Sequence, residues 1–281
     1  MTILFRILSG LAFFCFSLIV LPHSAQTALQ DASMVWQEME PGLELACFSV
    51  QASEGREGTL RVLRIDPSQH TLVILSAAVQ GEKVRSLRDW AGSHNLSAAI
   101  NAGMYQPDGR THTGYLRVGN TLNNPHIAAR FGAFFVAGPD LADQLPAAAV
   151  LDRSASDWEE LIPHYDMVVQ NFRMIDASRR IQWLADGPAH AISAVGEDGS
   201  GRILFLHCGE PMTCAEFSRQ LLELPLDIRQ VMYTEGGSQA GLYLDTGREI
   251  HVWAGRHPSG FWPAGGINAP LPNVIGVKKG Q

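Results

Sequence analysis

The stretch that most constrains this fold is residues 231–244, where two short apolar runs flank a polar turn. The runs predict strands, and the turn between them contains Glu235, Gly236, Gly237 and Ser238. Glycine lacks Cβ, so the backbone can adopt positive φ and approach a bound group closely. Successive N–H groups in such a turn can hold an anion, and a carboxylate beside them can act as acid, base or nucleophile. The alternative is a β-hairpin whose glycines only satisfy turn geometry.

A second stretch repeats this arrangement. Residues 98–105 contain a run of small apolar residues that ends at Asn101, followed by Gly103, an aromatic residue and a polar turn at 106–109. Here too a predicted strand delivers a polar side chain into a loop, so we expect both loops to lie at one site.

Three short motifs, taken together, resemble the phosphodiester glycosidase family. They are residues 101–105, residues 113–116, which begin with Thr113 and Gly114, and residues 235–238. Their order and spacing carry the resemblance, which covers about residues 40–280. It implies hydrolysis of the bond between an anomeric carbon and phosphate in a sugar-1-phosphodiester. With the element pattern it predicts a single α+β domain of mixed, largely antiparallel β-sheets with a few covering helices.

The resemblance also implies roles for individual residues. Glu235 would be the main carboxylate, as nucleophile or general acid, and Asn101 would hold a sugar hydroxyl or a phosphate oxygen. His190 with Ser193 would bind or protonate the phosphate side. The remaining predicted substrate-binding residues are Gly103, Thr113, Gly114, Gly236, Gly237 and Ser238. Glycosidases commonly use two carboxylates, and the candidates for the second are Asp108 and Asp186.

Three positions depart from the family pattern. Ala102 stands where the family often has glycine, His190 where it usually has arginine, and Glu235 where it has aspartate. Imidazole is only partly charged near neutral pH, and one extra methylene moves a carboxylate by roughly 1 Å. The alternative function is therefore a noncatalytic envelope protein that binds a glycan or a partner with the same pocket.

The N-terminus predicts a targeting segment. Arg6 precedes an apolar run, residues 7–21, and small residues follow it, which is typical of a secretory signal peptide over residues 1–25. A retained membrane anchor is the alternative. Cleavage would leave residues 26–281 as one periplasmic or secreted domain with no stable membrane span.

Charge limits the classes of partner. The formal net charge is −7, and removal of Arg6 with the signal segment makes it −8, which disfavours nucleic acid as a partner. We expect a phosphosugar or a cell-envelope glycan. No cofactor is predicted. Because no HxH or carboxylate cluster has metal-ligand spacing, the sequence leaves dependence on a divalent cation open.

Three cysteines follow the signal segment. We expect Cys208 and Cys214 to form a disulfide in an oxidising compartment and Cys47 to be a buried thiol. Zinc is disfavoured because His207 beside two cysteines lacks a fourth ligand.

Hydrophobic patterning predicts the main elements. Strands at 43–50, 59–65 and 71–75 form an opening meander, and residues 190–195 pair with 202–207. Helices are predicted at 84–94, at 156–162 with Ser154 or Ser156 as cap, and at 213–224 with a capping box from Thr213 to Glu216.

Several residues leave two interpretations open. The strand predicted at 167–175 carries Gln170 and Asn171, which either face the pocket or satisfy the sheet. His112 is either solvent-exposed or catalytic, and we expect a solvent-exposed loop residue. Aromatic residues near the C-terminus would stack on a sugar or pack at an edge, and two basic neighbours could meet phosphate. These residues are Tyr243, Trp253, Phe261, Trp262, Arg256 and His257.

Overall fold

The computed structural model describes residues 36–183, 187–255 and 266–280. They belong to one compact unit, residues 35–281. The predicted signal segment lies outside the described residues. No helix in the described ranges is long and apolar enough to span a membrane.

Strands dominate the described chain. They are β1 (Gln37–Glu40), β2 (Leu43–Gln51), β3 (Glu57–Ile65), β4 (Leu72–Ser76), β5 (Leu96–Asn101), β6 (Leu116–Val118), β7 (Thr121–Asn124), β8 (Ala133–Pro139), β9 (Ala148–Asp152), β10 (Tyr165–Asn171), β11 (Arg173–Ile175), β12 (His190–Asp198), β13 (Ile203–Met212), β14 (Ile228–Gly236), β15 (Gly241–Asp245), β16 (Ile250–Ala254) and β17 (Asn273–Lys278). The helices are α1 (Leu87–His94), α2 (Trp158–Leu161) and α3 (Cys214–Glu223).

The strands form three sheets. Sheet 1 has the order β1-β2-β3-β13-β12-β14-β11, sheet 2 the order β7-β6-β10-β8-β9, and sheet 3 the order β16-β15-β5-β17-β4. Each named strand pair in the described chain is antiparallel. The predicted largely antiparallel sheets are therefore confirmed, and strands outweigh helices in the domain. The predicted meander holds for β2 and β3, but β4 joins sheet 3 beside β17.

One buried cluster joins the three sheets. Alternate residues of each strand point to the same face, and these positions are apolar where the sheets meet. Burial of each large aliphatic or aromatic side chain contributes roughly 1.5–3 kcal/mol. Representative members are Leu63 and Phe205 of sheet 1, Phe135 and Val169 of sheet 2, and Ile100 and Ile275 of sheet 3.

The helices begin at side-chain caps where the sequence provides them. The capping box between Thr213 and Glu216 is present at the start of α3, as predicted. The hydroxyl of Ser86 accepts a hydrogen bond from the N–H of Asp89 at α1. The helix predicted at 156–162 is shorter, and its N-cap is Asp157 rather than Ser154 or Ser156.

Two connections carry the chain between sheets. The strand predicted at 167–175 is broken at Phe172, because β10 belongs to sheet 2 and β11 to sheet 1. Likewise β14 and β15 do not pair with each other; the turn at 237–239 takes the chain from sheet 1 to sheet 3. The hairpin alternative for residues 231–244 is therefore wrong.

The cysteine predictions are also wrong. Cys208 and Cys214 are buried free thiols, whereas Cys47 is exposed on β2. Burial raises the pKa of Cys208 to about 11 and that of Cys214 to about 12, so both stay protonated at neutral pH.

Candidate active site

Glu235 lies at the end of β14, where the chain leaves sheet 1. Its side chain is half-buried, and its Oε1 accepts a hydrogen bond of 3.0 Å from the N–H of Gly236. Burial raises the pKa of Glu235 from 4.5 to about 7, and the Gly236 hydrogen bond offsets part of that rise. The carboxyl can therefore exist in both protonation states near neutral pH, as a group that exchanges protons requires.

Two side chains crowd the Cα of Gly236. A Cβ on Gly236 would lie 2.4 Å from Nδ1 of His190 and 2.5 Å from Oη of Tyr233. The φ of Gly236 is −128°, which any residue adopts, so the glycine is needed for space. His190, half-buried, is thus brought beside the Glu235 loop as the sequence predicted, and its Nδ1 lies 2.9 Å from the carbonyl of Ala191.

Aromatic residues extend from this corner, and the sequence interpretation missed them. The rings of Tyr233 and Trp183 lie 5.6 Å apart, and those of Trp183 and Phe172 lie 5.4 Å apart. Burial raises the pKa of Tyr233, so its hydroxyl is a proton donor rather than a phenolate. An aromatic residue directly before a polar strand end was the available signal.

Asn101 lies at the end of β5 in the middle of sheet 3. It is buried, and its Oδ1 accepts a hydrogen bond of 3.1 Å from the N–H of Gly241, the first residue of β15. Its Nδ2 is buried and has no partner within the described ranges. The amide therefore joins the first motif to the strand that follows the Glu235 loop.

Further contacts join the two loops. Nε2 of Gln239 donates to the hydroxyl of Tyr105 at 2.9 Å. Nδ2 of Asn171 donates to the carbonyl of Thr234, at 2.9 Å, next to Glu235. Motifs more than a hundred residues apart are thus gathered at one corner, where sheet 3 and the β10–β11 break meet β14.

Gly103 and His112 form the closed side of this corner. The φ of Gly103 is +129°, and a Cβ there would lie 2.7 Å from Cε1 of His112 and 2.8 Å from Nδ2 of Asn171. His112 is fully buried, not solvent-exposed as predicted, and its Nε2 lies 2.7 Å from the carbonyl of Gln170. Burial lowers the pKa of His112 to about 4, so the imidazole is neutral.

Other residues singled out in the sequence have structural contacts. Thr113 donates to the carbonyl of Met104 through its hydroxyl, and a Cβ on Gly114 would clash with Phe131. The Gln170 amide is saturated by backbone groups, so of the two amides only Asn171 faces the corner.

Neither candidate for a second catalytic carboxylate, Asp108 or Asp186, is placed at this corner by the described residues. Both oxygens of Asp108 are taken up by its own turn, in bonds to Arg110 and Thr111. Residues that lie outside the described ranges are Asp186, Arg256, His257, Phe261 and Trp262.

Backbone donors remain at the corner. The Gly236 N–H is occupied by the Glu235 carboxylate, whereas those of Gly103 and Gly237 have no acceptor in the described chain. Ser238 is partly exposed in the same turn as Gly237. Within the described residues no three His, Cys, Asp or Glu side chains could hold a metal ion together.

Residues 94–278, more than half of the chain, match the phosphodiester glycosidase family. The chain belongs to this family. Membership supports phosphodiester glycosidase activity in general, and the match includes all three motifs. No curated protein matches this chain in sequence.

Solved structures share the family fold. The catalytic domain of zebrafish N-acetylglucosamine-1-phosphodiester alpha-N-acetylglucosaminidase, auto-inhibited by its pro-peptide, has a TM-score of 0.62 and 13% identity. That match covers 87% of this chain and 86% of the zebrafish chain. A hypothetical protein from Synechocystis has a TM-score of 0.59 and 14% identity over 87% of this chain and 63% of its own. These likenesses identify the fold of this phosphodiester glycosidase family member.

Proposed function

We propose that this protein is a periplasmic or secreted hydrolase of sugar-1-phosphodiesters that releases a sugar from a phosphoglycan or phospho-glycoside. The observation that carries the proposal is Glu235: a half-buried carboxyl whose pKa is near 7, placed in the family's third motif. A group that ionises near the working pH is suited to proton transfer in the transition state.

The surrounding groups suit the phosphate side of such a substrate. His190 and the Tyr233 hydroxyl lie around Gly236 and can donate to phosphate oxygens. The N–H of Gly237, which has no acceptor among the described residues, can stabilise charge that develops there. In this mechanism protonated Glu235 donates its proton to the leaving phosphate oxygen as the anomeric C–O bond breaks. A water molecule adds to the anomeric carbon, and the proton that it releases restores the acid form of Glu235. Asn101 offers Nδ2 to a hydroxyl or a phosphate oxygen.

The test is hydrolysis of a chromogenic sugar-1-phosphodiester by wild type and by Glu235→Gln. Loss of a positioned general acid costs roughly 10²–10⁴-fold in rate, so we expect kcat to fall by that factor. Glutamine has nearly the same shape, so the variant should unfold at the same or a higher temperature. Equal rates in the two proteins would refute the role of Glu235.

A noncatalytic glycan-binding protein is the second candidate. It is favoured by one observation: Asp108, a candidate second carboxylate, is bound within its own turn. Absence of turnover in both proteins, with glycan binding retained in both, would establish this function instead. Binding should then weaken when Trp183, the half-buried aromatic beside Tyr233, is changed to alanine.

A further inference from the structure

One contact at the candidate site joins two uncharged polar side chains. Nε2 of Gln239 lies 2.9 Å from the hydroxyl oxygen of Tyr105, and both residues are partly exposed. Tyr105 belongs to the first motif, in the loop after β5, and Gln239 ends the turn that follows Glu235. The same stretch continues to Gly241, whose N–H holds Oδ1 of Asn101. The pair therefore spans the two loops that carry the predicted catalytic groups.

The backbone is held on both sides of this contact. Tyr105 forms an isolated antiparallel bridge with His112, which is fully buried. On the other loop, a Cβ on Gly255 would lie 1.9 Å from the carbonyl of Gly237, so the turn that carries Gln239 packs tightly against the chain after β16. Side chains that project from a fixed backbone lose less freedom when a ligand binds.

The contact leaves one donor and one acceptor unused. Because the amide N–H donates to the phenol oxygen, the hydroxyl hydrogen of Tyr105 has no acceptor in the described chain, and Oε1 of Gln239 has no donor there. Exchange of the amide nitrogen and oxygen reverses the bond and again leaves one donor and one acceptor unused. Both side chains are partly exposed, so these groups can meet a ligand.

A sugar hydroxyl matches this pair better than a phosphate oxygen does. A hydroxyl both donates and accepts, so it can satisfy Oε1 of Gln239 and the O–H of Tyr105 together, whereas the oxygens of a phosphodiester only accept. Neither side chain has a charge that would attract an anion. Ser193, a predicted substrate-binding residue, is fully buried with its hydroxyl 3.1 Å from Nδ1 of His207, and so is not available to a ligand.

We propose that Tyr105 and Gln239 form a subsite for one hydroxyl of the sugar ring and so determine which sugars the protein accepts. The corner then has two sides, with Glu235 and His190 at the phosphate and this pair at the sugar. A site built to hydrogen-bond a hydroxyl rejects an analogue that lacks it, because its own polar groups are left unpaired. The substrate class rests on the proposed function, but recognition of the hydroxyl does not require catalysis.

The test is a cycle between protein variants and substrate analogues. The parent substrate is a chromogenic 1-phosphodiester of the best of glucose, mannose, galactose and N-acetylglucosamine, and each analogue lacks one ring hydroxyl. Two lost hydrogen bonds predict that one analogue loses about 25-fold in kcat/KM with wild type. Tyr105→Phe and Gln239→Met each keep one of the two bonds, so the same analogue should lose only about fivefold relative to the parent.

Gln220→Met is the matched control. It removes a partly exposed amide that bonds to the backbone of Gln51 from α3, outside the two loops, and should keep the wild-type ratios. A merely structural role of Tyr105 or Gln239 would lower kcat/KM for every analogue alike and leave the ratios unchanged. Calorimetric titration with the corresponding sugar 1-phosphates measures the same ratios in binding, without turnover.

The outcomes separate the subsite from the proposed function. Turnover with equal losses on all analogues, or with wild-type ratios in the folded variants, overturns the subsite and leaves the proposed function intact. No turnover in any protein, with binding ratios that change in the variants as described, refutes the proposed function and supports the subsite. A protein that neither hydrolyses these compounds nor distinguishes them in binding overturns both. Should one variant fail to fold, the other decides.

Discussion

The loops at Glu235 and Gly103 follow the same sequence plan and have opposite environments. Each follows a strand with a polar residue at or next to its end, and each contains glycine at positive φ, namely Gly103 and Gly237. Around Glu235 the side chains are half-buried and the carboxyl has one backbone hydrogen bond. Around Gly103 the imidazole of His112 and the amide of Asn171 are buried in close contact. One loop presents a partly exposed carboxyl, and the other is enclosed by buried polar side chains.

Strand position explains the difference. Asn101 ends β5, which has β15 on one side and β17 on the other, so its amide is enclosed. Glu235 is the next-to-last residue of β14, where the chain departs for another sheet, and its side chain stays partly exposed. The exposure of a polar side chain at a strand end therefore depends on whether neighbouring strands cover it.

The largest effect should come from filling the closed side. Gly103→Ala places a methyl group against His112 and requires alanine at a φ of +129°, so we expect a loss of about 3 kcal/mol in the free energy of unfolding. Gly109→Ala is the control, because Gly109 has a φ of +70° and no neighbour within 4 Å. It should cost about 1 kcal/mol from backbone strain alone. Equal losses in urea denaturation would show that Gly103 is not tightly enclosed.

In the Glu235 loop, the corresponding change is Gly236→Ala, which should affect activity more than stability. Gly236→Ala displaces His190 and Tyr233, and a displacement near 1 Å can cost about 10²-fold in rate. Gly237→Ala, at a φ of +66° with no neighbour within 4 Å, should mainly lower stability, by about 1 kcal/mol. Measured kcat/KM and unfolding midpoints separate the two, and a larger activity loss in Gly237→Ala would contradict the assignment.

The contributions of Glu235 and His112 to the free energy of unfolding should change with pH in opposite directions. The folded pKa of Glu235 is above its ordinary 4.5, so the stability linked to its protonation is present below pH 4.5 and lost as pH rises through 7. Relative to Glu235→Gln, wild type should lose about 2 kcal/mol over this interval, after allowance for partial solvent screening.

For His112 the folded pKa of about 4 lies below the ordinary 6.5. The stability linked to its neutral form is present above pH 6.5 and lost as pH falls through 4, so wild type should weaken relative to His112→Gln on acidification. Urea denaturation of wild type, Glu235→Gln and His112→Gln between about pH 4 and about pH 7 checks both directions. If both residues changed stability in the same direction with pH, the two loops would not differ in the way proposed.

The smallest effect concerns the link between the loops. Tyr105→Phe removes the hydrogen bond to Gln239 while keeping the ring, and should cost about 1 kcal/mol in the free energy of unfolding. A double-mutant cycle with Gln239→Ala measures the coupling directly. Strictly additive losses would show that the loops do not support each other through this contact.

Local sequence signals predicted many elements because their causes are local. Alternation identified β2, β3 and the β12–β13 hairpin, and the Thr213 capping box identified the start of α3. The β10–β11 break was not predicted, because nothing in 167–175 shows that its two halves pair with different sheets. The predicted disulfide failed for a similar reason, since sequence proximity of Cys208 and Cys214 does not make the thiols meet.

For the candidate site, the sequence named Glu235, His190 and Asn101 as candidates, but it did not predict their surroundings. His207 and Tyr233 occur within ordinary strand sequences, and only the register sets one opposite Ser193 and the other beside Gly236. His112 was misjudged because a histidine in a polar loop looks exposed until the fold buries it.

By itself the sequence determined the family, the strand-rich composition and the glycine turns that bring backbone close to a site, because these depend on residue type and short spacing. Tertiary structure decided which strand ends stay open and which are enclosed. Burial, and with it the pKa of Glu235 and His112, is a property of neighbours that come from distant parts of the chain.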